Sequence, residues 1–146
     1  INLVVNPKII PKVRTIGYVP HVTEYLAAKK ALGGRYHIID PANDPMGVVA
    51  DIASCDRIIS QSLHGLIVAD AMNVPNIWMK PSSKMTGGAF KFDDYFSTVD
   101  GNKVAVSDYS ELDAIDKSTH FIVSEYKYSK VDYIKNLINF SMRHID

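Results

Sequence analysis

Short apolar runs alternate with longer segments of helix-forming residues over the first half of the chain. The pattern predicts strands at residues 15–19, 36–39, 57–60 and 74–79, with helices at 22–32, 45–54 and 63–72. Helical segments of roughly ten to fifteen residues between strands are typical of βαβ units, which build parallel sheets. We therefore predict an α/β fold with one parallel sheet.

Residue types in two of these helices indicate where the second helix begins and how the third one packs. Asp44 followed by Pro45 suits the N-cap and the first position of the second helix. The third helix is apolar nearly all round, and His64 and Asp70 are its only residues that can carry charge. A helix of that composition packs into the protein interior, so we expect it to lie buried against the sheet.

Beyond residue 80 the pattern predicts shorter elements. These are a loop at 81–89, an aromatic helix at 90–96, a strand at 103–106 and a helix at 110–116. Apolar residues then recur at helical spacing near the end of the chain and predict an amphipathic helix. They are Val131, Ile134, Leu137, Ile138, Met142 and Ile145.

Composition narrows the classes of protein to consider. The 146 residues suffice for about one domain. Acidic and basic residues balance at 16 each, so no net field would recruit nucleic acid or an anionic membrane. No apolar run reaches the roughly 20 residues of a transmembrane helix, and no signal peptide is recognisable. Cys55 is the single cysteine, which excludes an internal disulfide and makes a reducing cytoplasm the default.

Polar residues follow each of the four predicted strands. They are His21, Asp40, the segment 60–64 and Lys80. In parallel sheets, ligands bind beyond the carboxyl ends of the strands. We therefore expect these residues to converge on one edge of the sheet and to form a binding site there.

The turn before the third helix joins small and polar residues to a histidine. Unpaired amides and the helix dipole favour anions at a helix N-terminus, and Gly65 permits close approach. His64 would then meet the anion as a candidate proton donor. The alternative is that His64 is only hydrogen-bonded within the fold and that a serine of the turn merely caps the helix.

The same turn carries a family resemblance. Residues 59–71, which read Ile-Ser-Gln-Ser-Leu-His-Gly-Leu-Ile-Val-Ala-Asp-Ala, and the Val74-Pro75 pair resemble the signature of the polysaccharide pyruvyl transferases. Residues 16–21, 76–78 and 91–96 are similar to further stretches of that family. The resemblance implies a Rossmann-like three-layer domain similar to the C-terminal half of a GT-B fold. Residues 1–146 would form one such domain, as the C-terminal part of a longer two-domain enzyme.

The resemblance also implies an activity. Such an enzyme transfers pyruvate from phosphoenolpyruvate to two hydroxyls of a sugar as a ketal and releases phosphate, in exopolysaccharide or cell-surface glycan biosynthesis. Its partners would be phosphoenolpyruvate and a glycan or lipid-linked sugar acceptor, with no metal or other cofactor. A homo-oligomer is compatible with this expectation. We expect a cytoplasmic location, with the inner face of the membrane as an alternative.

For the site, the resemblance implies a catalytic role for His64. The expected substrate-binding residues are Ser60, Gln61, Ser62, Leu63, Gly65, His21, Lys80 and Lys84. Ser62 stands where an arginine often precedes the Leu-His pair in the family, so a cation must come from elsewhere. The candidates are Lys80, Lys84, Arg14 and the other half of the enzyme. Asp93 and Asp94 are adjacent on a predicted helix and would point apart, so we expect no metal there.

Two other functions remain open at this point. One is a GT-B glycosyltransferase half that binds a nucleotide sugar at the same helix, which a pocket for base and ribose would distinguish. The other is a non-catalytic Rossmann-like binding module, which failure to bind phosphoenolpyruvate would support.

Overall fold

A computed structural model describes residues 10–80, 90–101, 103, 105–115 and 120–127. Its elements, in chain order, are β1 (Arg14–Val19), α1 (Tyr25–Leu32), β2 (His37–Ile38), α2 (Pro45–Ala53), β3 (Cys55–Ser60), α3 (Leu63–Ala71), β4 (Asn76–Met79), α4 (Phe90–Thr98), β5 (Val99–Asp100), β6 (Ala105–Val106), α5 (Leu112–Ile115) and β7 (Glu125–Tyr126). Short 3₁₀ turns at Val22–Glu24 and Tyr109–Glu111 lead into α1 and α5.

Five of the strands form one sheet in the order β2-β1-β3-β4-β6. Every neighbouring pair in this sheet is parallel. β5 and β7 form a separate antiparallel pair. The predicted α/β fold and its parallel sheet are therefore confirmed.

Helices cover both faces of the sheet. Successive strand residues point to opposite faces, and the central strand β3 shows the consequence. Ile59 packs in one apolar cluster with Leu32 of α1. Ile58 packs in a second cluster with Ile52 of α2 and Ala69 of α3. The predicted three-layer arrangement is confirmed.

An aromatic cluster joins α4 to the sheet. Trp78 of β4 stacks on Phe92 of α4 with ring centroids 5.0 Å apart, and Phe96 meets the same indole ring at 5.2 Å. Leu66 of α3 lies in the same cluster and is fully buried. The cluster agrees with the prediction that α3 packs into the interior.

Asp44 and Pro45 occupy the predicted positions at the start of α2. Asp44 Oδ2 accepts a hydrogen bond from the Gly47 amide at 2.9 Å, which satisfies one of the free N–H groups of the first turn. Pro45 occupies the first helical position, where its missing N–H costs nothing.

Several boundaries differ from the predicted ones. β3 begins two residues earlier, at Cys55, because Cys55 is paired with Arg14 at the start of β1. β4 begins at Asn76: the Val74 amide donates to Ala69 O at the end of α3, and Pro75 has no N–H to donate. Of the strand predicted at 103–106, the described residues show Ala105–Val106 as β6, and of the helix predicted at 110–116 they show a 3₁₀ turn and α5.

Two predicted elements, the loop at 81–89 and the C-terminal amphipathic helix, lie outside the described residues. Within the described ranges, no helix has the length and apolar character that crossing a membrane requires.

Candidate functional site

The turn between β3 and α3 is shaped by a buried serine. Ser60 is fully buried, and its hydroxyl donates to Ser62 O at 2.8 Å while accepting from the Ser62 amide at 3.1 Å. These two bonds close a tight turn directly after the strand. The Ser60 hydroxyl therefore holds the turn in shape, and its predicted contact with substrate stays a prediction.

Gln61 ties this turn to the one after β1. Its amide oxygen accepts from the His21 backbone N–H at 3.2 Å, and its amide nitrogen donates to Glu24 Oε2 at 2.9 Å. The side chain is buried, and the Gln61 backbone N–H donates to Val19 O at 2.9 Å. The carboxyl ends of β1 and β3 are thus held together through one side chain.

The first turn of α3 presents a histidine. Ser62 is the N-cap, and its hydroxyl accepts from the Gly65 amide at 3.5 Å. His64 is the second residue of the helix and is exposed, as the carboxyl-edge location predicts. A Cβ on Gly65 would collide with the Ser60 hydroxyl and would lie 3.0 Å from Val19 Cγ1. Glycine is required there so that α3 can begin directly against the ends of β1 and β3.

A cavity of about 610 Å³ opens in front of this turn. It is lined by Val19, His21, Val22, Pro41, Asn43, Pro45, Val48, Val49, Ile52, Ser62, Leu63, His64, Gly65, Val68 and Lys91. No carboxylate is present among the described residues that line it. The cavity has an apolar wall and a rim that can carry positive charge.

His21 contributes to the same rim. Its Nδ1 lies 2.8 Å from Thr23 Oγ1 and accepts from the Thr23 backbone N–H at 3.4 Å, so His21 caps the 3₁₀ turn that precedes α1. Capping uses Nδ1, whereas Nε2 has no hydrogen-bond partner in the described part of the chain. Five of the predicted site residues thus share one cavity: His21, Ser62, Leu63, His64 and Gly65.

All the residues that line this cavity except Lys91 lie in the part of the chain that matches a known family. Residues 1–83 match the family described as polysaccharide pyruvyl transferase. The chain belongs to this family. All of β1, β3 and α3, and with them the turn at Ser60 to Gly65, lie inside the matched range.

Two curated proteins are similar in sequence to this member of the polysaccharide pyruvyl transferase family. An uncharacterised protein of Acanthamoeba polyphaga mimivirus is 24% identical over 148 residues, covering 87% of this chain and 52% of that protein. The succinoglycan biosynthesis protein ExoV of Rhizobium meliloti (strain 1021) is 31% identical over 93 residues, covering 60% of this chain and 28% of that protein. The chain thus spans about half of the first relative, and its match covers just over a quarter of the second. No solved structure gives a significant match.

Lys80 lies in a neighbouring cavity. This second cavity, of about 200 Å³, is lined by Glu24, Gln61, Met79, Lys80, Ser107, Asp108 and Tyr109. Lys80 follows β4 at the same edge of the sheet as His64, as predicted, but Gln61 and the turn at residues 21–24 lie between the two cavities. Lys84 falls outside the described residues.

Two further residues considered from the sequence, Asp40 and Arg14, do not line the cavity that contains His64. Asp40 Oδ1 accepts from the Ala42 amide at 2.9 Å and so serves a local turn. Arg14 was a candidate source of positive charge, and the structure corrects this expectation. It begins β1, at the opposite edge of the sheet from His64, and its guanidinium lies 2.5 Å from His37 Nδ1.

Lys91, on the first turn of α4, is a cationic residue at the larger cavity that was not among the residues predicted for the site. It lines the larger cavity together with His21 and His64, and its ammonium lies 5.5 Å from the Phe92 ring centroid. The packing of Phe92 on Trp78 places this turn near α3. Residues 91–96 resemble the family, but that signal did not connect Lys91 with the turn after β3.

A buried charged cluster behind α3 was also missed. Asp70 Oδ1 accepts from Asn76 Nδ2 at 2.7 Å, Lys103 Nζ at 3.0 Å and the Ser124 amide at 2.9 Å, and Oδ2 accepts from the Tyr95 hydroxyl at 2.8 Å. Burial lowers the pKa of Lys103, and attraction to Asp70 opposes that shift. The cluster ties α3 to β4, α4 and the segment around Ser124. The signal available in the sequence was a single carboxylate on an otherwise apolar helix.

Metal chemistry has no obvious location in the described ranges. They contain no group of three or more histidine, cysteine or acidic side chains arranged to hold a metal ion.

Proposed function

We propose that this chain supplies the donor-binding part of an enzyme that transfers the pyruvyl group of phosphoenolpyruvate to two hydroxyls of a sugar. The observation that carries the proposal is the placement of His64. It is exposed in the first turn of α3, on a cavity whose described lining includes no carboxylate. Membership of the polysaccharide pyruvyl transferase family supports the reaction class.

Charge favours an anionic donor in the larger cavity. Lys91 brings an ammonium group, and the imidazole N–H groups of His21 and His64 can donate hydrogen bonds to an anion. The free amides at the start of α3 add partial positive charge at the same rim. Phosphoenolpyruvate carries both a phosphate and a carboxylate, so it would be attracted to this rim more strongly than a neutral ligand.

His64 would act as the general acid. Protonation of the enol methylene carbon of phosphoenolpyruvate makes the adjacent carbon electrophilic, and a sugar hydroxyl can then add to it. The proton of that hydroxyl returns to the His64 imidazole. The C–O bond to phosphate then breaks, the second hydroxyl attacks the same carbon to close the ketal, and its proton leaves with the phosphate. A positioned acid typically accelerates such a proton transfer 10²–10⁴-fold. The amides of α3 and the Lys91 ammonium would stabilise the charge on the departing phosphate.

The acceptor and the remainder of the site would involve the rest of the enzyme. Because the match covers about half or less of each curated relative, we propose that a second domain completes the cleft over this sheet edge. The product would be a pyruvylated exopolysaccharide or cell-surface glycan, made from a glycan or lipid-linked acceptor. Such an enzyme would act in the cytoplasm.

Calorimetric titration of the full-length protein tests the donor assignment. We expect saturable binding of phosphoenolpyruvate, weaker binding of inorganic phosphate, and no binding of UDP-glucose. Phosphate release from phosphoenolpyruvate should depend on an added glycan acceptor. Binding of UDP-glucose without phosphoenolpyruvate would support a glycosyltransferase half instead. Binding of neither would favour a non-catalytic module.

A further inference from the structure

The second cavity differs from the first in chemistry. Every lining residue except Met79 carries a polar side-chain group. Glu24 and Asp108 contribute two carboxylates against the single ammonium of Lys80, and the Ser110 amide, which donates to Asp108 Oδ1 at 2.8 Å, lowers the pKa of that carboxyl. The described lining is therefore net negative, in contrast to the rim around His64.

The two cavities adjoin each other. Gln61 lines the second cavity, and the next residue, Ser62, lines the first. The Gln61 amide accepts from the His21 backbone N–H at 3.2 Å and donates to Glu24 Oε2 at 2.9 Å. A ligand in the second cavity would thus lie close to the two turns, at His21 and Ser62, that line the first.

Size limits what the second cavity can hold. Pockets for drug-sized ligands and cofactors have volumes of roughly 300–1,000 Å³, and the second cavity has about 200 Å³. A nucleotide exceeds that space, whereas one small ring fits it. Net negative charge also disfavours phosphoenolpyruvate, because like charges repel over a few ångströms.

We propose that the second cavity binds one sugar ring of the acceptor. Glu24 and Asp108 would accept hydrogen bonds from its hydroxyls, and Lys80 would donate to an oxygen of the ring or of a hydroxyl. Tyr109, which is half-buried and packs edge-on against Tyr18 at 6.1 Å, would offer its ring to the C–H face of the sugar. This inference rests on the proposed function, since it places the acceptor hydroxyls beside the donor cavity.

Methyl NMR on the full-length protein can observe the two cavities separately. Met79 lines the second cavity, whereas Leu63 and Val68 line the first. The probes are methyl β-D-glucopyranoside, methyl β-D-galactopyranoside and phosphoenolpyruvate, each added alone. We expect at least one glycoside to shift the Met79 methyl signal more than those of Leu63 and Val68, and phosphoenolpyruvate to do the reverse.

Two substitutions test whether the residues that line the second cavity bind the glycoside. Asp108→Asn should weaken glycoside binding about tenfold, because hydrogen bonds to a charged acceptor are about twice as strong as those to a neutral one, and should leave phosphoenolpyruvate binding unchanged. Lys80→Gln should also weaken glycoside binding alone. Asp56→Asn is the matched control, because Asp56 is exposed near the start of β3, at the opposite edge of the sheet.

Different results would contradict the acceptor site and the donor assignment. Glycosides that leave Met79 unshifted, or that bind Asp108→Asn as tightly as the wild type, would overturn the acceptor site. Weakened phosphoenolpyruvate binding in Lys80→Gln would also overturn it, because the donor would then reach the second cavity. If phosphoenolpyruvate shifts none of the three methyl signals while a glycoside shifts Met79, the donor assignment fails and the sugar site stands.

Discussion

His64 is the residue on which the proposed chemistry depends most directly. It lies in the first turn of α3, where the Leu63 and His64 amides have no hydrogen-bond partner among the described residues, and its side chain is exposed to the larger cavity. Neighbouring residues determine the conformation of the turn before α3: the Ser60 hydroxyl closes the turn, and Gly65 allows the helix to begin against the strands. The role of each residue is therefore separable by substitution.

Replacing His64 tests the acid. His64→Ala in the full-length protein should lower kcat for pyruvyl transfer 10²–10⁴-fold, equivalent to about 3–5 kcal/mol of transition-state stabilisation. The melting temperature should hardly change, because the side chain is exposed. The measurement is acceptor-dependent phosphate release. Leu26→Ala is the control, since Leu26 is the exposed second residue of α1 and lines neither cavity. Wild-type turnover in a folded His64→Ala protein would contradict the acid role.

Gly65 is predicted to be required for packing. Gly65→Ala places a methyl group against the Ser60 hydroxyl and Val19 and should lower the free energy of unfolding by about 1–3 kcal/mol. Gly34→Ala is a matched control, because a Cβ on Gly34 meets nothing within 4 Å. That control should stay within about 1 kcal/mol of the wild type. Urea unfolding measures both, and equal stability of the two variants would refute the close-packing argument.

Lys91 is predicted to contribute charge for the donor. Lys91→Gln should raise the Kd for phosphoenolpyruvate about tenfold, the effect of losing one hydrogen bond from a charged donor. Lys91→Arg should retain most of the affinity because it keeps the charge. Lys29→Gln is the control, because Lys29 is exposed on α1 and lines neither cavity. If calorimetry gives Lys91→Gln the wild-type Kd, the missing cation lies elsewhere.

Among the elements, α3 has two ends with opposite environments. Its first turn is open to the cavity, whereas Asp70 near its last turn is buried among four hydrogen-bond donors from β4, α4 and more distant segments. A buried carboxylate is stable only when its oxygens are paired. The cluster therefore fixes the position of α3, and with it the position of His64.

Lys103 should be essential to that cluster. Lys103→Met leaves Asp70 buried without its opposite charge and should lower the free energy of unfolding by about 3 kcal/mol. The double variant Asp70→Asn with Lys103→Met should be more stable than Lys103→Met alone, because the stranded charge is gone. Denaturant unfolding of the single and double variants measures this, and additive losses would argue against the pairing.

Stability should also depend on pH through Lys103. Burial lowers its pKa in the folded protein below the ordinary 10.5, so the unfolded chain binds more protons between those two values. The free energy of unfolding then rises with pH across that window. Wild type should gain stability relative to Lys103→Met as pH rises towards 10.5, and parallel pH profiles would contradict the shifted pKa.

At the scale of the whole molecule, strand order creates the proposed site. β1 and β3 are central neighbours, so the turns after them lie side by side at the carboxyl edge, where Gln61 joins them. Two cavities of opposite charge character result at one edge. In the proposed enzyme this arrangement would hold an anionic donor and a neutral acceptor in neighbouring cavities.

Much of this arrangement could be predicted from the sequence because it depends on local rules. Alternating strands and helices predicted the parallel sheet, and Asp44 with Pro45 predicted the start of α2, since capping involves residues within one turn. His21 and His64 were both predicted at the carboxyl edge, because parallel strands end there together. The family resemblance added the expected chemistry.

Only the tertiary structure decided which distant side chains meet. Lys103 bonds Asp70 across 33 residues, and Gln61 bonds Glu24 across 37. Such pairings follow from how helices pack on the sheet, and no short-range pattern along the chain encodes them. The packing of helices on the sheet also explains why Lys91 lines the same cavity as His64 and why Lys80 lines the other. The sequence determined the sheet edge at which a ligand would bind, and packing decided which charges surround it.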